Sequence, residues 1–438
     1  MKKESRLGPW MLIALVTGNM VGSGAFLLPA DLARIGSISL IALGVTVIGA
    51  MALALVFAKM SLLIPRNGGA YVYAKEVFGE YTGFQTAYYY WIGVWVGNAA
   101  VVVAALGYID ILFPVLNHLP TRIVVTLVMI WLPVVINLSG IKLAGAVQII
   151  TAVLKFTPLI IVGVLGWFFF NPAYLIAGFN NSGGSNFTAG SSAILLTMWL
   201  FIGVESAAVP ADLVDNPKRN IPLATLVGTG FAALIYILSN VVIFGLIPTE
   251  QLAQATSPFA TAVELICGSW GKILVACGAI CACFGALNGW VLVAAQVPMS
   301  AAEEGFFPKV FAKRNRCGMP AISLVVTSLC ITLLILFSTY LNLIEQFEML
   351  ILVATIAEVL SYFYTAIAQV ILLRKQASTG HKDTLHLLIA IVAAAYSFYA
   401  ILGTSKEVIF GLTAFLLFTV PLYAILKPMR GVMDGQAE

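Results

Sequence analysis

The chain has 438 residues, 61% of them hydrophobic and 10% charged, with a formal net charge of +4. Soluble domains carry roughly 25% charged residues. A mean hydropathy of +1.00 therefore excludes a water-soluble enzyme, a nucleic-acid-binding module and a disordered adaptor. Long unbroken apolar runs exclude an outer-membrane barrel as well, because barrel strands alternate over segments of about ten residues.

The expected class is an all-α membrane protein. At about 20 apolar residues per crossing, the runs between polar breaks predict twelve transmembrane helices, over residues 12–33, 40–63, 84–112, 124–138, 145–170, 193–213, 223–247, 273–302, 321–340, 351–373, 385–402 and 408–426. Lys2, Lys3 and Arg6 precede the first run as in a secretory signal, but no small-x-small cleavage site follows, so the run is read as a retained span. With both termini cytoplasmic, the cytoplasmic segments hold 18 of the Lys and Arg residues, from Lys2 to Lys427 and Arg430; the other side holds 4, Arg34, Arg122, Lys272 and Lys406. That bias follows the positive-inside rule, and a missed or extra span would scramble it. The stretch 171–192 has Gly, Asn and Ser but no charge, and reads as an external loop. No soluble domain fits, which leaves one transmembrane domain over 1–438.

Cys267, Cys277, Cys281, Cys283 and Cys330 lie in or beside apolar helices, and Cys317 in a basic loop. Cys281 and Cys283 are two apart and diverge on a helix, so they cannot share a metal. No disulfide, metal or cofactor is expected.

The first local anomaly is Thr17-Gly18-Asn19-Met20-Val21-Gly22-Ser23-Gly24-Ala25 in the first span. Each glycine weakens a helix by about 1 kcal/mol, and in lipid freed backbone groups must find other partners. Gly18 and Gly22 have the spacing of a small-residue packing seam. Gly-Ser-Gly in consecutive positions adds glycines on other faces, which packing does not need, so a broken helix is predicted. The second anomaly is Trp199-Leu200-Phe201-Ile202-Gly203-Val204-Glu205-Ser206-Ala207 in the sixth span. An unpaired mid-membrane Glu costs about 2.5–3.5 kcal/mol, so Glu205 must face protein or water, either holding helices together or serving function. Two interrupted spans at corresponding positions predict inverted five-helix repeats, about 10–170 and 191–373, followed by two helices over 384–426, with a midplane site at the repeat interface. Amides at Gly22-Ser23-Gly24 suit a carboxylate, and freed carbonyls at both breaks suit an α-ammonium.

Other buried polar candidates are Lys155, Glu358, Asn98 and Asn288, with Asp110 near the outer end of the third span. Lys155 reads as a displaced cation filling an ion site, a proton carrier, or the partner of a buried carboxylate. Glu358 reads as proton-sensing or as half of a structural ion pair or hydrogen bond. His118, His381 and His386 sit at span ends, which argues against a histidine proton relay. Most aromatics, such as Tyr88, Tyr89, Trp91 and Trp95, suit packing or an interfacial belt. Trp199 and Trp290 lie beside helix-weakening residues and suit a cation–π contact, worth about 2 kcal/mol when desolvated.

The stretches Gly18-Asn19-Met20-Val21-Gly22-Ser23-Gly24, Leu27-Leu28-Pro29, Phe201-Ile202-Gly203-Val204-Glu205-Ser206-Ala207, Asn216-Pro217-Lys218-Arg219-Asn220-Ile221-Pro222 and Glu304-Gly305-Phe306-Phe307-Pro308 together resemble the amino acid–polyamine–organocation superfamily. The likeness is to its basic amino acid/polyamine antiporter branch, most of all to arginine/agmatine antiporters, with lysine/cadaverine and putrescine/ornithine exchangers nearby, and runs almost the whole chain. The resemblance implies a leucine-transporter-like fold with discontinuous helices 1 and 6 plus two C-terminal helices. It implies a homodimer in the lipid of a bacterial inner membrane, both termini cytoplasmic, working by alternating access. By position, Ser23 and Gly24 would bind the substrate carboxylate beside Met20, with Trp199 and Ile202 giving carbonyls to the ammonium. Gly93, Val94 and Asn98 would meet the distal cation, and Trp290 would stack on it. Tyr90 looks like an outer gate, Tyr71 a lower gate, and Trp199 a lid. Glu205 would respond to protons, with Lys155 and Glu358 as further proton-sensing candidates.

The sequence departs from the arginine exchanger at Leu200 (a serine there), Val101 (a methionine), Lys155 (a small residue) and Glu358 (a threonine). A lysine in the fifth span resembles proton-coupled amino acid symporters. The expected activity is exchange of an external arginine-like amino acid for an internal agmatine-like amine, contributing to acid resistance and rising as pH falls; a proton-coupled amino acid symporter is the alternative. A membrane enzyme is disfavoured, because the chain has no H-E-x-x-H, no G-x-S-x-G and no mid-depth histidine. Two asymmetric broken helices in one chain argue against a channel.

Overall fold

The computed structural model describes residues 6–113, 116, 118–255, 257–338, 343–375, 381–402 and 406–426. Lys2, Lys3, Lys427, Arg430 and the end of the expected ninth span at residue 340 lie outside the described residues. Backbone in lipid must satisfy its hydrogen bonds within the segment, and the described chain is accordingly helical, with one isolated bridge, Leu7 to Val214.

In chain order the helices are α1 (Pro9–Met20), α2 (Gly24–Ile35), α3 (Ile38–Leu63), α4 (Ala70–Phe78), α5 (Glu80–Leu112), α6 (Leu119–Leu138), α7 (Ile141–Ile160), α8 (Ala173–Ala177), α9 (Asn186–Met198), α10 (Pro217–Leu246), α11 (Thr249–Ala253), α12 (Pro258–Cys267), α13 (Gly271–Glu303), α14 (Ala321–Phe337), α15 (Leu343–Lys375), α16 (His381–Leu402) and α17 (Lys406–Leu426). Proline stands in the first turn of α1, α6, α10 and α12, where its missing N–H costs nothing.

Among the described residues, 10 helical stretches are long and apolar enough to cross a bilayer. The stretches at the expected sixth and ninth spans are shorter, Asn186–Phe201 and Ala321–Phe337. The sixth stops because regular helix gives way to turns over 202–210. The uncharged stretch 171–192 is not wholly loop. It contains α8 and the start of α9, whose first turn is capped by Ser185 Oγ accepting the Thr188 N–H at 3.2 Å. Such a cap satisfies one of the orphan amides at a helix start.

The long helix α5 packs against both α13 and α15, while α1 lies among α7, α10 and α13. Large apolar side chains such as Ile48, Val124, Phe168, Phe410 and Leu417 remain exposed, as a surface facing acyl chains requires. Three helices are tied together by amides rather than by shape alone. Asn288 Nδ2 donates to Ala144 O (2.9 Å) and Gln148 Oε1 (3.1 Å), while Asn137 Nδ2 donates to Asn288 Oδ1 (3.3 Å).

In membranes such interhelical bonds average about 0.6 kcal/mol each. Asn288→Leu is therefore expected to cost about 1–2 kcal/mol and to lower the unfolding midpoint of the purified protein by several degrees. An unchanged midpoint would show that these bonds do not hold α6, α7 and α13 together.

Candidate functional site

The first helix breaks where Gly22-Ser23-Gly24 falls. Val21 leaves helical geometry at φ −85°, ψ 80°, the Gly22 N–H turns back onto Met20 O at 3.0 Å, and α2 restarts with Phe26 and Leu27 bonding to Ser23 O. This leaves carbonyls at the end of α1 and amides at the start of α2 without helical partners. The carbonyls are taken by side chains. Lys155 Nζ donates to Gly18 O (2.7 Å) and Val21 O (2.9 Å), Trp290 Nε1 to Asn19 O (3.0 Å), and the Tyr236 hydroxyl to Met20 O (2.8 Å). Each carbonyl from Gly18 to Val21 thus already accepts one side-chain donor. The amides of Ser23 and Gly24 keep the geometry that favours an anion at a helix N-terminus.

At the second break, α9 tightens to a 3₁₀ turn over Trp199–Phe201, and Ile202 is extended at φ −62°, ψ 128°. Gly203 then adopts φ +114°, a left-handed conformation that only glycine takes cheaply. A Cβ there would lie 3.2 Å from both Asn19 Cβ and Trp290 Cζ2. The two breaks are tied directly by Asn19 Nδ2 donating to Ser206 Oγ at 2.9 Å.

Between the breaks lies a small, constricted cavity lined from both broken helices. Ser23, Gly24, Met20, Val94, Asn98, Trp199, Ile202, Trp290 and Glu358 all line it. So do Asn19, Gly22, Gly97 and Val101, of which only Gly97 is unmarked in the sequence. Trp199 closes over Gly24 so tightly that a Cβ on Gly24 would lie 2.5 Å from its Cδ1.

Other sequence candidates lie outside the cavity wall. Gly93 faces α15 instead, where a Cβ would lie 2.9 Å from Ala357 Cβ. Glu205 is fully buried, and both its oxygens are held: the Tyr90 hydroxyl donates to Oε1 at 2.7 Å and the Tyr362 hydroxyl to Oε2. Tyr362 also accepts the Gly203 N–H at 3.2 Å, coupling this carboxylate to the second break. Tyr362 and Tyr236 escaped sequence reasoning because tyrosines in apolar helices look like packing. The one available signal is that Tyr362 sits one turn beyond Glu358, a polar pair on one face.

Tyr90 and Tyr71 do not guard opposite mouths. Tyr90 lies one turn from Val94 toward the Glu80 end of α5. Tyr71 shares a 2.6 Å hydrogen bond with Ser300 Oγ near the Glu303 end of α13. Both ends belong to one face, so the expectation of Tyr90 as an outer gate is corrected. That face is closed by ion pairs: Arg66 with Glu76 and, at 2.8 Å, Glu304, and Lys75 with Glu304 at 2.7 Å. Burial alone would lower the Arg66 pKa, but the Glu304 and Glu76 carboxylates outweigh it and hold it above the usual value.

Among known proteins, a family model described as "Amino acid permease" matches residues 7–422. The "Cadaverine/lysine antiporter" of Escherichia coli (strain K12) is 32% identical over 429 residues, covering 97% of this chain and 96% of the relative. The "Putrescine transporter PotE" of the same strain is 34% identical over 431 residues, covering 97% of each; its Haemophilus influenzae namesake is 32% identical, covering 92% and 93%. A solved Na⁺-coupled sialic acid symporter, in a substrate-bound outward-open state, superposes with a TM-score of 0.58 over 92% of this chain and 90% of its own, at 10% identity. At that identity the likeness shows the transporter fold alone. The matches span nearly every residue and join transporters rather than enzymes, so the chain is a multi-pass membrane protein of the amino acid permease family, within the amino acid–polyamine–organocation superfamily.

Proposed function

We propose that this chain exchanges an external basic amino acid for its internal decarboxylated amine by alternating access at the cavity between the two helix breaks. The observation that carries this reading is the composition of that cavity. Free amides of Ser23 and Gly24 suit a carboxylate, unwound backbone at Trp199 and Ile202 suits an ammonium, and Asn98, Glu358 and the Trp290 ring suit a second cation. The names of the relatives, a cadaverine/lysine antiporter and putrescine transporters, support an amino acid and diamine pair. The sequence reading puts arginine and agmatine first with lysine and cadaverine nearby, and these names weigh toward lysine and cadaverine.

The same proposal includes twelve spans in two inverted repeats, cytoplasmic termini, the bacterial inner membrane and a homodimer. It also includes acid resistance: where a cytosolic decarboxylase consumes one proton per turnover, the exchange exports that equivalent. Glu205 is the proton-responsive group in this scheme. Protonation removes the charge that the Tyr90 and Tyr362 hydroxyls hold, and so loosens the link from Tyr362 to Gly203. The alternative, a proton-coupled amino acid symporter, has one observation in its favour. The Lys155 ammonium bridges Gly18 O and Val21 O across the first break, where a cycling cation would change the helix geometry.

Counterflow in proteoliposomes separates the two. Vesicles loaded with unlabelled cadaverine or agmatine should accumulate labelled lysine or arginine, and empty vesicles should not; filling of empty vesicles down a proton gradient would establish the symporter instead. Wild-type exchange should rise as the pH falls, and Glu205→Gln should flatten that profile; an unaltered profile would remove Glu205 from proton coupling. Trp290→Ala should weaken a dibasic ligand more than an aliphatic amino acid, by about 30-fold for a desolvated cation–π contact of about 2 kcal/mol. Equal losses for the two ligands would exclude that contact.

A further inference from the structure

The buried polar groups around the cavity divide into those the protein satisfies and those it leaves bare. Glu205 accepts two tyrosine hydroxyls, Lys155 donates to two carbonyls, and the Trp290 indole donates to a third. Glu358 Oε2, both amide atoms of Asn98 and Ser23 Oγ have no hydrogen-bond partner among the described residues. These side chains are only 2%, 1% and 1% exposed, and all three line the cavity. A buried carboxylate without a cation or donors is strongly unfavourable. The ion pairs among the described residues lie elsewhere and leave Glu358 out. Lys155, the fully buried cation among the described residues, is committed to Gly18 and Val21.

The local packing is built to admit this carboxylate. Gly93 on α5 faces it with no side chain; a Cβ at Gly93 would lie 3.2 Å from Glu358 Cγ. Glu358 also stands one turn before Tyr362 on α15, the helix that holds Glu205. Two carboxylates thus share one region, yet only Glu205 is capped by hydroxyls. A carboxylate of purely structural use would be expected to have such caps.

We propose that Glu358, with Asn98 in the same cavity, binds the distal ammonium of a dibasic substrate and is the residue that selects for the substrate's second positive charge. This rests on the exchange of basic amino acids and diamines proposed above and names the group that recognises them. Ser23 and the α2 amides take the amino acid end, and Glu358 takes the end shared by amino acid and diamine. An amino acid lacking the second charge leaves Glu358 buried and bare, and a site with an unpaired polar group rejects such an analogue strongly.

The test compares L-lysine with L-norleucine, which has the same side chain without its ammonium, by ligand-dependent thermal stabilisation of the purified full-length protein. Wild type should prefer lysine. Glu358→Gln should weaken lysine by about 10–100-fold, the range for a lost charge-assisted bond, and leave norleucine within about 2-fold. Glu358→Asp keeps the charge but draws it back by one methylene, so it should keep the preference for lysine over norleucine and raise that for lysine over the shorter ornithine. A Glu358→Gln protein that keeps the wild-type lysine-to-norleucine ratio overturns the assignment, including the case where only its pH profile moves, as for a proton carrier. Should that variant fail to fold, Glu358→Asp decides, and an unaltered preference for chain length overturns the proposal. A wild type indifferent between lysine and norleucine overturns both this proposal and the reading of a basic substrate, whereas loss of the preference only in Glu358→Gln supports both.

Discussion

A bilayer offers no water to backbone groups released from a helix, and every peptide unit freed at Val21–Ser23 and over 202–210 must be covered from inside the protein. Much of the interior follows from that requirement. An ammonium from α7, an indole from α13 and a hydroxyl from α10 converge on the carbonyls of α1, while a hydroxyl from α15 receives the Gly203 amide. Asn19 reaches across to Ser206 and ties one break to the other. Around the cavity, the polar side-chain atoms left uncovered among the described residues are those of Ser23 and Asn98, Asn19 Oδ1 and Glu358 Oε2, beside the first amides of α2.

The route from that cavity toward the Arg66 face is closed in layers. Nearest the cavity, Glu205 holds Tyr90 and Tyr362. Farther along α13, Tyr71, Ser300 and the Asn67 carbonyl form a second hydrogen-bonded layer. At the surface, Glu304 bridges Arg66 and Lys75. Half-exposed ion pairs contribute only about 0–1 kcal/mol each. In the exchange proposed above, several weak layers would let the differential binding of a modest ligand open this face.

The helix breaks were legible because Gly-Ser-Gly and Gly-Val-Glu interrupt runs that are otherwise continuous. Most of the cavity-lining residues were legible by likeness to a known family, whose motif positions fall on this cavity wall. Four features were hidden, each for a physical reason. The partners Tyr236 and Tyr362 look like packing, because only the position of the hydroxyl distinguishes a capping tyrosine from a core one. The irregular stretch 202–210 keeps apolar side chains, so hydropathy, which counts side chains and not backbone, extends the span to residue 213. The placement of Tyr90 depends on which way α5 runs past the cavity, and no local pattern encodes that. Short helices such as α4 and α12 lie under the length that a membrane-span criterion detects.

A substrate-bound structure in a lipid nanodisc, with lysine or arginine present, addresses the shared origin of all these features most directly. The α-carboxylate should sit within hydrogen-bond reach of the Ser23 and Gly24 amides, and the α-ammonium against the carbonyls of Trp199 and Ile202. A ligand seated away from both unwound segments, or one that leaves the Ser23 and Gly24 amides bare, would contradict the idea that exposed peptide groups form the binding site.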